Sequence, residues 1–123
     1  MTRVLVVDDE PQILRALATN LKARDYEVLL AESGEDALSI AAEKHPDVVV
    51  LDIGLPGIDG YEVARRLRAQ PAGDRLIIIA ASGYGQKEDQ QRSLAAGCDR
   101  HLTKPIDPVQ LTDLLSSLCS AKA

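Results

Sequence analysis

Two kinds of hydrophobic pattern alternate along the chain. Short, mostly aliphatic stretches read as β-strands: RVLVVD (3–8), YEVLLAE (26–32), DVVVLD (47–52), RLIIIAAS (75–82) and CDRHLTK (98–104). Between them apolar residues recur every three or four positions, the spacing of an amphipathic helix. Pro11 suits the first turn of a helix whose stripe is Ile13, Leu14, Leu17 and Leu21. Ser33 and Asp36 have capping-box spacing ahead of Ala37, Leu38 and Ala41, and Asp59 and Glu62 repeat it ahead of Val63, Ala64 and Leu67. A fourth helix is expected over about 86–96, closed by Gly97 in the left-handed conformation. Asp107, Pro108 and Gln110 open a fifth, with the stripe Leu111, Leu114, Leu115 and Leu118.

Strands alternating with helices over short connections imply βαβ units and a parallel sheet. The first, third and fourth strands are almost continuously aliphatic, as strands covered by helices on both faces are. The second and fifth carry more polar residues, among them Tyr26, Glu27, Asp99, Arg100 and His101, which places them at the edges. With right-handed crossovers the order becomes 2-1-3-4-5, a doubly wound five-stranded α/β sheet of the flavodoxin-like (βα)5 kind with helices on both faces. In that order the topology reverses between the first and third strands. The crevice beyond their carboxyl ends is where such sheets bind ligands.

Composition narrows what can sit in that crevice. The 123 residues suit one domain, 1–123. There is no Phe or Trp and only three Tyr, and the net charge is −5 without any basic run, which argues against direct contact with nucleic acid or an anionic membrane. No apolar stretch approaches the ~20 residues of a membrane span. MTRVLVVDD runs straight into a strand rather than a signal sequence. Cys98 and Cys119 show neither metal-ligand nor secreted-disulfide spacing, so both are expected reduced in a cytoplasmic protein.

The predicted carboxyl ends carry the chemistry. The first strand ends in Asp8 and Asp9, the third in Asp52, the fourth in Ser82, and the fifth in Lys104 and Pro105. Singly, each has an ordinary explanation: Asp9 as the cap of the helix begun by Pro11, Asp52 as a turn former, Ser82 as a loop residue, Lys104 as a solvated cation. The fold, however, brings them all to one rim. Paired carboxylates about 4 Å apart repel by roughly 4 kcal/mol at an effective dielectric of about 20. One lysine cannot balance three acids. Hard oxygen ligands with room for water favour Mg2+, and a magnesium ion beside a lysine and a hydroxyl is a receptor for a phosphoryl group. Asp52 is then a candidate nucleophile, forming an aspartyl-phosphate.

VVDDEP, VVVLDIGLPGIDGYE, IIIAASGYG and HLTKPID at these spacings resemble response-regulator receiver domains of two-component signalling, over nearly the whole chain from Val4 to Leu118. The resemblance implies that Asp52 is the phosphoacceptor. It makes Asp8 and Asp9 the acidic pair holding Mg2+, assisted by Asp52 and the backbone carbonyl of Gly54. Ser82 matches the hydroxyl residue that bonds the phosphoryl group and shifts when it arrives, Lys104 the lysine that contacts it, and Lys104-Pro105 the family's cis peptide. His101 departs from the pattern: it stands where the family usually has Tyr or Phe at the switch position, and an edge-strand residue facing water is the alternative.

The resemblance implies a histidine kinase or histidine phosphotransfer protein as donor, slow hydrolysis of the acyl phosphate, and no independent enzymatic activity. It implies output through the face of the fourth helix, fifth strand and fifth helix, which is also a route to a homodimer. The loop Ser82-Gly83-Tyr84-Gly85 is the expected moving element. The competing reading is a phosphorylation-independent interaction module on the same fold, against which the complete set of acids, hydroxyl and lysine argues. An autonomous enzyme fits less well. Phosphatases of the haloacid-dehalogenase type need an acid where this chain has Gly54, the GxxxxGK[ST] loop is absent, and Asp8-Asp9-Glu10 would repel a flavin phosphate. No effector domain is recognisable after Leu118, and SGYGQKEDQQRSLAAGCDRHLTKPID is most similar to receivers attached to hybrid sensor kinases, so a free-standing regulator and a receiver from a larger protein both remain expectations.

Overall fold

A computed structural model describes residues 2–71, 73–83 and 87–122, with side chains throughout except at 87–90 and 119–122. The strands are β1 Arg3–Val7, β2 Glu27–Ala31, β3 Val48–Asp52, β4 Ile77–Ser82 and β5 Arg100–Thr103. The helices are α1 Pro11–Lys22, α2 Gly34–Lys44, α3 Gly60–Ala69, α4 Lys87–Ala95 and α5 Pro108–Lys122. All neighbouring strands pair in parallel, in the order β2-β1-β3-β4-β5.

The side-chain alternation of the strands explains why the inner three are aliphatic at every position. Leu5, Val7, Val49, Leu51, Ile78 and Ala80 point to one face, where Ala37 and Ala41 of α2 and Val63, Ala64 and Leu67 of α3 cover them. Val4, Val6, Val48, Val50, Ile77 and Ile79 point to the other, against Leu14, Leu17 and Leu21 of α1 and Leu111 and Leu115 of α5. Each fully buried Leu or Val contributes about 1.5–3 kcal/mol, so both cores depend on a helix on each side. The outer strands keep exposed positions, Glu27 and Leu30 on β2 and Arg100 and Thr103 on β5.

Helix ends follow local chemistry. Ser33 Oγ accepts the Asp36 amide at 3.1 Å and Asp59 Oδ1 accepts the Glu62 amide at 2.9 Å, which starts α2 and α3. Asp107 Oδ1 accepts the amide of Val109 at 2.9 Å where α5 begins. Gly97 takes φ +102° just after α4, as expected of a residue closing a helix. Asp9 does not cap α1. The cap position is Glu10, without a side-chain bond to the helix, and Pro11 follows it.

The strands are one to three residues shorter than their hydrophobic runs suggest, β5 most of all. Arg75, expected in β4, ends a single 3-10 turn over Gly73–Arg75. Asp99, expected in β5, is held in front of that strand: its Oδ2 accepts the Ile78 amide at 2.8 Å and Arg68 Nη2 at 2.7 Å. Arg68 also donates to the carbonyls of Gly97, Gly73 and Leu76. One α3 guanidinium thus ties the entries of β4 and β5 to the helix layer.

Candidate functional site

The register of the inner strands decides where the acids fall. Val7 lies opposite Leu51, so Asp8 follows β1 beside the last residue of β3, Asp52, and Asp52 in turn lies opposite Ala81 of β4. Ser82 ends β4, and its carbonyl accepts the Lys104 amide at 2.7 Å, which draws the segment after β5 to the same rim. The Lys104–Pro105 peptide is cis. Four groups from four strand ends therefore share one end of the sheet, beside the crevice where the topology reverses.

Their side chains meet. Lys104 Nζ lies 3.0 Å from Asp52 Oδ2 and 3.2 Å from Asp8 Oδ2, bridging the two carboxylates. Asp8 is 2% exposed and Asp52 5%, so both acids are charges in a largely desolvated place that depend on such partners. The remaining oxygens are also engaged: Asp8 Oδ1 accepts the Glu10 amide and Asp52 Oδ1 the Gly54 amide, each at 2.9 Å. Burial pulls the Lys104 ammonium toward neutrality. The hydrogen bond to Asp52, with the charges of Asp52 and Asp8, outweighs that and holds its pKa above 10.5. Lys104 is thus a permanent cation at this rim.

Asp8, Asp9 and Glu10 form a second grouping, with ligand oxygens all within 4.8 Å of one another. Asp9 and Glu10 are exposed and Asp8 is buried, so the group opens outward from the rim. Carboxylate oxygens at this spacing are the donor set of a hard divalent cation such as Mg2+. Glu10 was not among the expected ligands; its neighbour Pro11 marks it only as a helix entrance, and the geometry is what adds it. For Gly54 the described role is its amide, which holds Asp52 in place.

A cleft of about 500 Å³ opens over these groups, lined by Asp9, Asp52, Gly54, Ser82 and Lys104 and also by Tyr61 and Arg92. Arg92, on α4, stacks its guanidinium 4.4 Å from the Tyr61 ring centroid. Nothing in the sequence distinguishes Arg92 from any other helix-surface cation, because its place depends on how α4 lies against α3. His101 is half-buried, and its Nε2 lies 2.8 Å from Ser82 Oγ. It faces the site rather than bulk water alone. Tyr84 and Gly85, expected as part of a moving loop, lie outside the described residues, as does the side chain of Cys119. Cys98 is a free, buried thiol.

Known proteins share this arrangement. The response regulator receiver domain family matches residues 4–116. The transcriptional regulatory protein KdpE of Mycobacterium tuberculosis is 47% identical over 86% of the chain, and the match spans 46% of KdpE, about half its length. The receiver domain of the Francisella response regulator 1452 superposes with a TM-score of 0.92 at 27% identity over 100% of both chains. The receiver domain of the sensor histidine kinase PA1611 from Pseudomonas aeruginosa, with a magnesium ion coordinated in its active-site cleft, does so with a TM-score of 0.86 at 31% identity, covering 94% of this chain and 95% of that one. Among the described residues no helix is long and apolar enough to cross a membrane. Sheet order, rim chemistry and these likenesses converge: the chain belongs to the response-regulator receiver domain family, the signalling modules of two-component systems.

Proposed function

We propose that Asp52 is the phosphoacceptor of this receiver, taking its phosphoryl group from a phosphohistidine on a histidine kinase or histidine phosphotransfer protein. The observation that carries this is Lys104 Nζ set between Asp52 Oδ2 and Asp8 Oδ2, at 3.0 and 3.2 Å, at the mouth of the cleft. A carboxylate oxygen of Asp52 attacks phosphorus, the P–N bond to the donor imidazole breaks, and the departing nitrogen keeps the electron pair. Lys104 offsets charge on the equatorial oxygens, which need donors and positive charge as the group transfers. The Gly54 amide on Oδ1 holds the carboxylate so that Oδ2 faces Lys104 and the cleft.

Asp8 and Asp9, with Asp52 and the carbonyl of Gly54, would hold Mg2+, and Glu10 would join them on the geometry of the acidic group. When bound, the ion neutralises the acids and the incoming phosphoryl charge. Hydrolysis reverses the loading: water attacks phosphorus, the acyl-phosphate bond breaks, and the Asp52 carboxylate returns with inorganic phosphate released. The domain occupies 1–123, acts in the cytoplasm, and signals through the face of α4, β5 and α5, also the surface for a homodimer. Among the described residues, two of the three exposed large apolar side chains, Leu94 and Val109, belong to α4 and α5, which supports that face.

Incubation with acetyl phosphate and Mg2+ tests the reading. Intact-mass measurement should show one added phosphoryl group on the native chain and none on Asp52→Asn. Equal loading of the two removes Asp52 as the acceptor.

A further inference from the structure

Among the described residues two cations line the cleft over Asp52, Lys104 and Arg92, and they are held in different ways. Lys104 Nζ sits between Asp52 and Asp8 at 3.0 and 3.2 Å, so its charge is already engaged by those acids. Arg92 Cζ lies 4.4 Å from the centre of the Tyr61 ring. An aromatic face attracts a guanidinium, but it carries no negative charge to neutralise one. The ring places the charge of Arg92 at the cleft and leaves it a full charge. The platform is also well fixed. Tyr61 is buried in the first turn of α3, a helix capped by the Asp59 carboxylate, and the Gly60 amide donates to the carbonyl of Ile53, the residue after Asp52. Arg92 is exposed in the last turn of α4, where the helix carbonyls favour a cation.

The chain as a whole carries a net charge of −5, and Asp9 and Glu10 line the same cleft, so an anionic donor approaches against the field. We infer that Arg92, set on the Tyr61 ring, is a specificity-determining residue for the phosphoryl donor: it draws doubly charged phosphoryl groups into the cleft and favours them over donors of lower charge. Its part is capture. Attack by the Asp52 carboxylate, departure of the leaving group from phosphorus and the charge offset by Lys104 do not pass through it. The preference therefore belongs to the encounter, where charge, distance and salt decide the outcome.

This inference rests on the assignment of Asp52 as acceptor, and two small donors separate the two. Acetyl phosphate is doubly charged near neutral pH, whereas phosphoramidate carries an ammonium on phosphorus that offsets part of its charge. Initial loading rates with Mg2+ are measured by intact mass at low and at high salt. The chains compared are the native one, Asp52→Asn, Arg92→Gln, Arg92→Lys and Arg65→Gln, the last an exposed α3 arginine that does not line the cleft. Arg92→Gln is expected to load from acetyl phosphate about three- to fivefold more slowly than the native chain at low salt, the size of an exposed charge pair, and to lose little with phosphoramidate or at high salt. Arg92→Lys should keep most of the native rate and Arg65→Gln all of it. A native rate in Arg92→Gln overturns the inference alone. So does slowing that is equal for both donors or untouched by salt, which is damage to the cleft rather than lost capture. Arg92→Lys or Arg65→Gln as slow as Arg92→Gln overturns it too. A native chain that loads from neither donor, or Asp52→Asn loading as the native chain does, removes the Asp52 assignment and the inference with it.

Discussion

Lys104 and Asp8 stand 96 residues apart in the chain, yet Nζ of one lies 3.2 Å from Oδ2 of the other. The parallel sheet makes that contact: β1 and β4 end at the same rim, and the Ser82 carbonyl draws in the backbone of Lys104. The same ammonium reaches Asp52 at 3.0 Å. It therefore offsets part of the charge of the two acids that a divalent cation would share.

Lys104 and Mg2+ should accordingly compete for the charge of Asp8 and Asp52. Lys104→Met removes the internal counter-charge and is expected to raise magnesium affinity about tenfold, equivalent to about 1.4 kcal/mol. Loading from acetyl phosphate should fall at the same time, because the transferring group loses its cation. Calorimetric titration with MgCl2 measures the first and intact mass the second. Magnesium binding equal to or weaker than the native value contradicts the competition.

Gly60 opens α3 immediately behind the acceptor loop. A Cβ there would stand 2.5 Å from Ile53 Cα and 2.8 Å from the carbonyl oxygen of Asp52, both backbone atoms that cannot step aside. Gly60→Ala should push the chain away from the strand end that presents Asp52. A loss of about 2 kcal/mol in urea unfolding, within the range for overpacking, should accompany slower loading from acetyl phosphate. Native stability and native loading together would mean that the close approach has no consequence.

Much of this arrangement was legible before any coordinates. Aliphatic runs ending in Asp8, Asp52 and Ser82 state both that a strand is buried on two faces and where it stops. The capping pairs from Ser33 and Asp59 mark helix starts because their hydrogen bonds are local in sequence. What the pattern missed depends on distant partners. Asp99 looks like a strand residue until Arg68 and the Ile78 amide are seen to hold it outside β5. Arg92 reads as an ordinary surface cation because its place over Tyr61 follows from helix packing. Asp9 has the composition of a cap, but the cap position of α1 falls one residue later, at Glu10, and Asp9 is left exposed beside the cleft.

The Arg68 clamp should carry more stability than an exposed ion pair. Its side chain is 21% exposed, and it serves Asp99 and the carbonyls of Gly97, Gly73 and Leu76 at the entries of β4 and β5. Arg68→Met keeps the apolar stem but removes the guanidinium donor, leaving Asp99 with the Ile78 amide and Gly73 with the Leu76 amide. A loss of about 2–3 kcal/mol is expected, less than for a fully buried pair because water reaches part of the site. Urea denaturation followed by far-UV circular dichroism measures it. A loss below about 0.5 kcal/mol would put Arg68 among ordinary surface pairs.

Cys98 gives the fold a pH dependence of predictable sign. Burial pushes its thiol from 9.0 up to about 11; the Arg68 charge draws it down, and Asp99 opposes that. Between those values the folded chain keeps a proton that the unfolded chain has released. The thiol's contribution is thus fully present below pH 9.0, declines as pH rises toward 11, and is flat beyond. A displacement of this size sets an upper limit of roughly 3 kcal/mol. Lys104, held above 10.5, also titrates upward, so its ion pairs weaken only at the top of this window. The interval from pH 9 to 10 therefore isolates the thiol from the lysine. Cys98→Ala should be less stable than the native chain at pH 8, through the lost volume, but should lose less on going to pH 10. Urea midpoints at pH 8, 9 and 10 give both slopes, and parallel slopes would show that the buried thiol does not govern the alkaline limb.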